Sequence, residues 1–175
     1  MLTPVLRPTM TVTRRVETTF DIAADGINPS LGLFAFSLSQ LPNVTDFTNL
    51  FQMYRIDSIS IVWRPEYTEL TDAAPVSNAV NVGFHTAVSV DNAAPVSVAS
   101  VLECSNASTT SITREHRVLL HPQILMNNIM PCSCAITTLN TSALWYGVKY
   151  GIDPTGVSMR FRSTAVFKVT LMGAK

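Results

Sequence analysis

The strongest constraint on the fold is a pattern of short runs in which apolar and polar residues alternate, with turn-forming residues between the runs. The longest run at the carboxy-terminal end is residues 158–172. One face of it holds apolar or small residues at every second position, namely Phe161, Ser163, Ala165, Phe167, Val169 and Leu171. Because successive side chains of a β-strand point to opposite faces, a period of two predicts a half-buried strand. Similar runs cover residues 11–22, 31–38, 79–90 and 144–152. About eight such strands predict an antiparallel β-sandwich.

The length of the chain, 175 residues, fits one domain with a complete core. We expect residues 11–175 to form that domain and residues 1–10 to form a short amino-terminal extension. No run of about 18 apolar residues occurs, so no membrane-spanning helix and no membrane partner are expected.

One segment, residues 47–67, joins two patterns without a linker. Its first part has the spacing of one helical face, at Phe47, Leu50, Phe51 and Tyr54. Its second part alternates from Ile59 to Trp63, and Pro65, which has no N–H to donate, is expected to end the strand. The segment therefore predicts a one-turn helix that passes directly into a long strand. Ser97 predicts the N-cap of a second short helix.

Charged residues are scarce and unevenly distributed. They make up 14% of the chain, against roughly 25% in an average soluble domain. Interface cores are depleted in charge, so the low fraction favours a subunit that is partly buried against other copies over a poorly soluble or glycosylated monomer. Residues 1–16 carry three basic side chains and no acid, and residues 154–175 carry four and no acid. The ends are basic, and the middle of the chain is acidic.

Three stretches carry a family resemblance. They are Phe47–Tyr67, Thr113–Pro122, and the carboxy-terminal pair Leu144–Gly151 and Met159–Leu171. In their order and spacing they resemble the single jelly-roll capsid proteins of small circular single-stranded DNA viruses, the circovirus-like group. The resemblance implies an all-β, eight-stranded antiparallel jelly-roll sandwich with one or two short helices in its loops. It also implies that the first and last strands lie beside the long strand that follows the first helix.

The function implied by the resemblance is structural and not enzymatic. Such a protein self-assembles into a small icosahedral shell, T=1 with about sixty copies in the simplest case, that encloses a single-stranded DNA genome. The implied location is the virion, with assembly in the host nucleus or cytoplasm. The sheet holding both chain ends would face the lumen and nucleic acid. Its expected basic side chains are Arg14, Arg15, Arg64, Arg160, Arg162 and Lys168. Family members usually carry a long basic arm at this end, whereas only three arginines precede Glu17 here, which weakens the expectation of packaged nucleic acid.

The two tryptophans have different expected roles. Trp63 continues the apolar face of its strand, so we expect it in the core, although a nucleic-acid stacking platform is the alternative. Trp145 lies opposite the apolar face of its strand. Since aromatic residues are enriched in interfaces, we expect Trp145 and Tyr67 at contacts between subunits.

Catalytic and metal chemistry have little support. One residue separates Cys132 from Cys134, whereas paired cysteine ligands of zinc are usually separated by two to four residues. Three scattered histidines also argue against a cupin-like enzyme. We therefore expect no enzyme activity, no metal and no cofactor. Two alternatives to the leading hypothesis stay open, a non-viral jelly-roll binding module such as a lectin-like or trimeric ligand domain, and the capsid protein of an RNA satellite virus.

Overall fold

The computed structural model describes residues 9–23, 26–66, 81–123 and 136–175. Nine strands are present in these ranges, β1 (Thr9–Ile22), β2 (Ser30–Phe36), β3 (Phe51–Glu66), β4 (Gly83–Ser89), β5 (Ser108–Ser111), β6 (His116–Leu120), β7 (Ile136–Thr137), β8 (Trp145–Ile152) and β9 (Met159–Ala174). The helical elements are a 3₁₀ turn (Leu38–Gln40), α1 (Val44–Leu50) and α2 (Val98–Leu102). Within the described ranges, no helix has the length and apolar character that crossing a membrane requires.

The strands form two antiparallel sheets with the topology of a jelly roll. One sheet has the order β1–β9–β3–β6. β7 also pairs with β3, at Met53 and Tyr54, whereas β6 pairs with β3 from Ile59 to Trp63. The other sheet has the order β2–β8–β4–β5. The predicted all-β jelly roll is confirmed. The first and last strands lie in one sheet with β3, as predicted, but only β9 is next to β3, because β9 separates it from β1. The ninth strand is β7, which has only two residues.

The core lies between the sheets and is rich in aromatic rings. Trp63 is fully buried, and its ring centroid lies 5.3 Å from that of Phe34 and 5.5 Å from that of Phe84. Phe161 lies 5.5 Å from Phe84 and 5.4 Å from Phe20. Rings at these separations add attraction to the burial of their area. The core position predicted for Trp63 is confirmed, and burial removes Trp63 as a stacking platform for nucleic acid.

The helix-to-strand junction is present, but its boundary differs from the prediction. α1 ends at Leu50, and Phe51 and Tyr54 belong to β3. Phe47 and Tyr54 are buried whereas Leu50 is exposed, so the four residues do not form one helical face. β3 also continues through Pro65, which pairs with Phe161. The four apolar residues match helical spacing by coincidence, because two of them lie in a helix and two lie in a strand with a period of two.

Trp145 lies in the core, which corrects its expected place at a subunit contact. Phe34 pairs with Val148 and Phe36 pairs with Trp145, so between these pairs one residue of β2 lies opposite two residues of β8. This irregularity switches Trp145 to the inner face, where its ring lies 6.1 Å from that of Tyr54. Trp145 is 0% exposed, so it has no surface to offer a neighbouring subunit. Tyr67 lies outside the described residues.

His116 is a buried polar side chain of the core. Its Nε2 atom lies 2.6 Å from Thr86 Oγ1, and its Nδ1 atom lies 2.9 Å from Thr110 Oγ1. Burial lowers the pKa of His116 from 6.5 to about 4, with a smaller contribution from His85. The folded subunit therefore holds this imidazole neutral where an unfolded chain would bind a proton.

The irregularity in β8 generates a first prediction, because Gly147 stands within it. A Cβ atom on Gly147 would lie 2.4 Å from the carbonyl oxygen of Phe34, whereas a Cβ atom on Gly156 would meet nothing within 4 Å. We expect Gly147→Ala to lower the free energy of unfolding by about 1–3 kcal/mol, since a buried backbone atom must shift. Gly156→Ala is the matched control and should leave stability unchanged or slightly raised. Equal denaturation midpoints for the two variants would contradict the bulged register.

His116 generates a second prediction, on acid stability. Its folded pKa is depressed, so the unfolded chain binds more protons between pH 6.5 and pH 4, and stability falls as pH falls through that window. The full loss from this group is about 3 kcal/mol. Denaturant unfolding of wild type and His116→Gln at several pH values measures it. We expect the variant to lose less stability than wild type across the window, and an equal loss in both proteins would show that His116 does not carry the effect.

Candidate functional site on the five-stranded sheet

The outward side of the five-stranded sheet concentrates charged side chains and is here called the charged face. It comprises Thr11, Thr13, Arg15, Glu17, Thr19 and Asp21 of β1; Arg160, Arg162, Thr164, Val166, Lys168 and Thr170 of β9; Arg55, Asp57, Ser58, Ser60, Val62, Arg64 and Glu66 of β3; and Glu115, Arg117 and Leu119 at β6. Paired residues of neighbouring strands share a face, so the registers of the sheet arrange these side chains in rows across it.

Five of the six predicted basic residues come together on this face, namely Arg15, Arg64, Arg160, Arg162 and Lys168. Arg14 does not, because it follows the parity of Val12 and Val16 on the side of β1 that faces the other sheet. Its guanidinium lies 5.3 Å from the ring centroid of Phe47 in α1, and its Nη1 donates to the carbonyl oxygen of Thr13. Arg14 and Arg15 are adjacent in sequence, so their side chains point to opposite faces of β1.

The arginines of the charged face are paired with carboxylates. Arg160 Nε donates to Asp21 Oδ1 at 2.7 Å, and Arg64 Nε donates to Glu115 Oε2 at 2.7 Å. The other pairs are Arg15 with Glu17, Arg117 with Glu115, Arg162 with Glu66, and Arg55 with Asp57. The acidic partners come from β1, from β3 and from the segment before β6, so the acidic middle of the chain does not lie away from the basic ends.

These ion pairs reduce the positive electrostatic potential of the charged face. The Arg160 guanidinium holds the pKa of Asp21 below its usual value, and Arg117 and then Arg64 do the same for the pKa of Glu115. The described face carries seven basic and five acidic side chains, a net charge of +2. A sheet face with this balance attracts polyanions only weakly as a whole.

Lys168 differs from the arginines. It is exposed, and among the described residues no carboxylate lies within ion-pair distance of its ammonium group. In the sheet it pairs with Thr13 of β1 on one side and with Ser58 of β3 on the other. Lys168 is therefore a basic side chain of this face flanked by hydroxyls and not by acids.

The outward side of the other sheet carries a separate polar cluster that sequence patterns did not predict. His85 Nε2 lies 3.2 Å from Asp153 Oδ2, and His85 Nδ1 lies 2.9 Å from Thr109 Oγ1. Asp153 Oδ2 also accepts the backbone N–H of Gly83. These contacts tie β4 to β5 and to the end of β8, which gives the cluster a clear structural role.

Metal ligands do not gather in the part of the chain that the structure describes, where no three His, Cys, Asp or Glu side chains form a metal-sized group. Cys132 and Cys134 lie outside that part. The remaining cavity of note has a volume of about 290 Å³ and is lined mainly by apolar side chains of β1, β2 and β9, including Val16, Phe34 and Phe167. No reactive side chain is among those that line it.

Comparison with known protein families identifies one match. Residues 6–160 match the family described as Circovirus capsid protein. A search of curated proteins found no match.

Viral capsid proteins are among the solved structures with a similar fold. The crystal structure of the 60-mer BFDV capsid protein is similar with a TM-score of 0.69 and 15% identity, over 95% of each chain. The decameric BFDV capsid protein gives a TM-score of 0.68 and 18% identity, over 94% of this chain and 99% of that one. The structure of Cocksfoot mottle virus gives 0.61 and 11%, over 97% and 96%. At these identities the likeness shows a shared fold.

The pairing of Glu115 with two arginines generates a prediction about the charged face. Glu115→Gln should release Arg64 and Arg117, so we expect the unassembled protein to elute from a cation-exchange resin at higher salt. Glu103→Gln is the matched control, because it changes net charge equally but lies at the end of α2. Both variants should gain retention from the added charge, and Glu115→Gln should gain more. An equal shift would show that the two arginines are not held by Glu115.

Proposed function

Because the chain belongs to the circovirus capsid protein family, we propose that it self-assembles into a closed icosahedral shell, T=1 with about sixty copies, around a single-stranded DNA genome. The family makes the chain a viral capsid protein, a structural component of the virion and not an enzyme. The number of copies, the genome and assembly in the host nucleus or cytoplasm belong to the proposal.

The observation that carries the proposal is the extent of the likeness to a shell-forming subunit. The similarity to the 60-mer BFDV capsid protein covers 95% of both chains, so no large part of either lacks a counterpart. Sixty copies are also the number in which identical subunits occupy equivalent positions of an icosahedron. The scarcity of charge in the sequence is consistent with extensive contacts between copies.

The orientation of the subunit in the shell is part of the proposal. We place the charged face toward the lumen, where Arg15, Arg64, Arg160, Arg162 and Lys168 would meet nucleic acid. The support is their arrangement on one outward face together with a net charge of +2, whereas the outer side of the other sheet is partly covered by α2. Arg14 is omitted from this set because it packs over Phe47.

The alternatives rank below this proposal. The family match favours a capsid protein over a lectin-like or trimeric ligand domain. It also favours the circular single-stranded DNA viruses over an RNA satellite virus, although the similarity to Cocksfoot mottle virus shows that the fold by itself does not distinguish them.

Purified protein tests assembly and packaging together. One chain has a mass of 19.1 kDa, so sixty copies have a mass of about 1.1 MDa. We expect sedimentation and electron microscopy to show particles of that protein mass. Particles are also made in cells supplied with circular single-stranded DNA and treated with nuclease. After these particles are opened, we expect them to release nucleic acid that DNase degrades. RNase sensitivity alone would favour the RNA alternative. A monomer at micromolar concentration across salt and pH would contradict shell assembly.

A further inference from the structure

One row of the charged face combines hydroxyls and a lysine without a carboxylate. Lys168 pairs with Thr13 and with Ser58, which places the three side chains next to one another on the same face. His121 follows β6, and its Nδ1 lies 3.1 Å from the carbonyl oxygen of Asp57, so it stands beside Ser58. We call these four residues the lysine row. At about 4.8 Å between strands, the row is about 14 Å wide.

The nearest carboxylate to the lysine row is Asp57, and it is already satisfied. Its Oδ1 accepts from Arg55 Nε at 2.7 Å, and its Oδ2 accepts from Thr170 Oγ1 at 2.6 Å. Both carboxylate oxygens of Asp57 are therefore engaged by donors other than Lys168. Glu17 is engaged by Arg15 in a similar way.

The arginine rows offer a poorer site for a phosphate. The arginines in the pairs with Glu17, Asp21, Glu66 and Glu115 keep between 47% and 70% of their side-chain surface exposed. Exposed pairs are weak, so a phosphate can displace a carboxylate from its arginine at small cost. The displaced carboxylate nevertheless stays beside the incoming phosphate and repels it. In the lysine row, no described carboxylate is paired with Lys168, so a phosphate bound there has no carboxylate to displace.

The chemistry of the row suits the backbone of nucleic acid and not its bases. Lysine ammonium and serine or threonine hydroxyl groups are donors that protein–nucleic acid interfaces direct to phosphate oxygens. Between the rows of Asp21 and Thr11, the described part of the charged face has no Phe, Tyr or Trp side chain on which a base could stack.

From these observations we propose that the lysine row, Thr13, Lys168, Ser58 and His121, is the principal phosphate-binding site of the subunit and holds single-stranded nucleic acid without regard to base. The proposal rests on the proposed function, since it assumes that the charged face meets a packaged strand. It assigns to Lys168 a role that the neighbouring arginines share only weakly.

The test compares two substitutions that change charge equally. Arg160 stands eight residues before Lys168 on the same strand face, about 26 Å away, which is well beyond the screening length of about 8 Å at physiological salt. Lys168→Gln and Arg160→Gln each remove one positive charge. Asp21→Asn combined with Arg160→Gln removes one ion pair at unchanged net charge, and Lys168→Arg retains the cation of the row.

Two measurements are made on each protein. The first is the affinity of the unassembled subunit for a labelled oligodeoxythymidylate as a function of salt, and the second is the mass of nuclease-protected nucleotide per shell. One lost phosphate contact lowers affinity about fourfold at 0.15 M salt and reduces the slope of log affinity on log salt by about 0.7. We expect that change for Lys168→Gln and a smaller one for Arg160→Gln. Lys168→Arg should retain the affinity of wild type, and the double variant should lose less affinity than Arg160→Gln alone because its net charge is unchanged.

The outcomes separate the two hypotheses. If wild-type shells protect nucleic acid but Lys168→Gln binds as wild type or no more weakly than Arg160→Gln, the assignment of the lysine row fails while packaging stands. If wild type neither binds the oligonucleotide nor protects nucleotide in shells, packaging and the lysine row both fail. A strong preference for oligodeoxythymidylate over oligodeoxyadenylate of equal length would also overturn the proposal, because the row has no group that reads bases.

Discussion

The rest of the structure depends on the pairing of β9 with a long strand on each side. β1 pairs with it from Thr9 to Ile22, and β3 pairs with it from Phe51 to Glu66. The odd-numbered residues of β9 from Phe161 to Leu171 fill the core, and the even-numbered residues between them form the middle of the charged face. A slip of one residue would exchange the two sets and bury arginines in an apolar core. Core packing, register and surface charge are therefore set by one constraint.

Much of this could be predicted from the sequence, because a period of two is a local property. Trp63 and the apolar face of β9 were placed correctly for that reason. Trp145 was not, because an extra residue in β8 inverts the parity between Val148 and Trp145. A bulge is fixed by what packs around it, in this case Phe36 and Tyr54, and these residues are distant in sequence. The α1 boundary was missed because Phe51 and Tyr54 belong to a strand while also matching the helical spacing.

The candidate site was only partly predictable, since charge pairing depends on register. The basic ends were visible in the sequence, and the family topology brought them to one sheet. What was missing was the partner of each arginine. Asp21 faces Arg160 across the β1–β9 ladder, and Glu66 faces it from β3. Summing charge along the chain separates basic ends from an acidic middle, whereas the folded sheet interleaves them. Arg14 shows the same limit, because it adjoins Arg15 in a regular part of β1, where successive side chains point to opposite faces.

The few charged residues of the chain are concentrated on one surface and are scarce on the rest. Twelve of the charged side chains lie on the charged face, so the rest of the described surface is poorer in charge than the average of 14%. That remainder exposes apolar side chains such as Val96 and Leu139, each 87% exposed. Leu139 stands on a fixed turn, since the preceding Thr138 donates from Oγ1 to the carbonyl oxygen of Phe51 at 2.7 Å. A fixed apolar group loses little entropy when it is covered. A subunit of this kind would meet its neighbours through the charge-poor loops and edges, which leaves the charged face free for the contents of the shell.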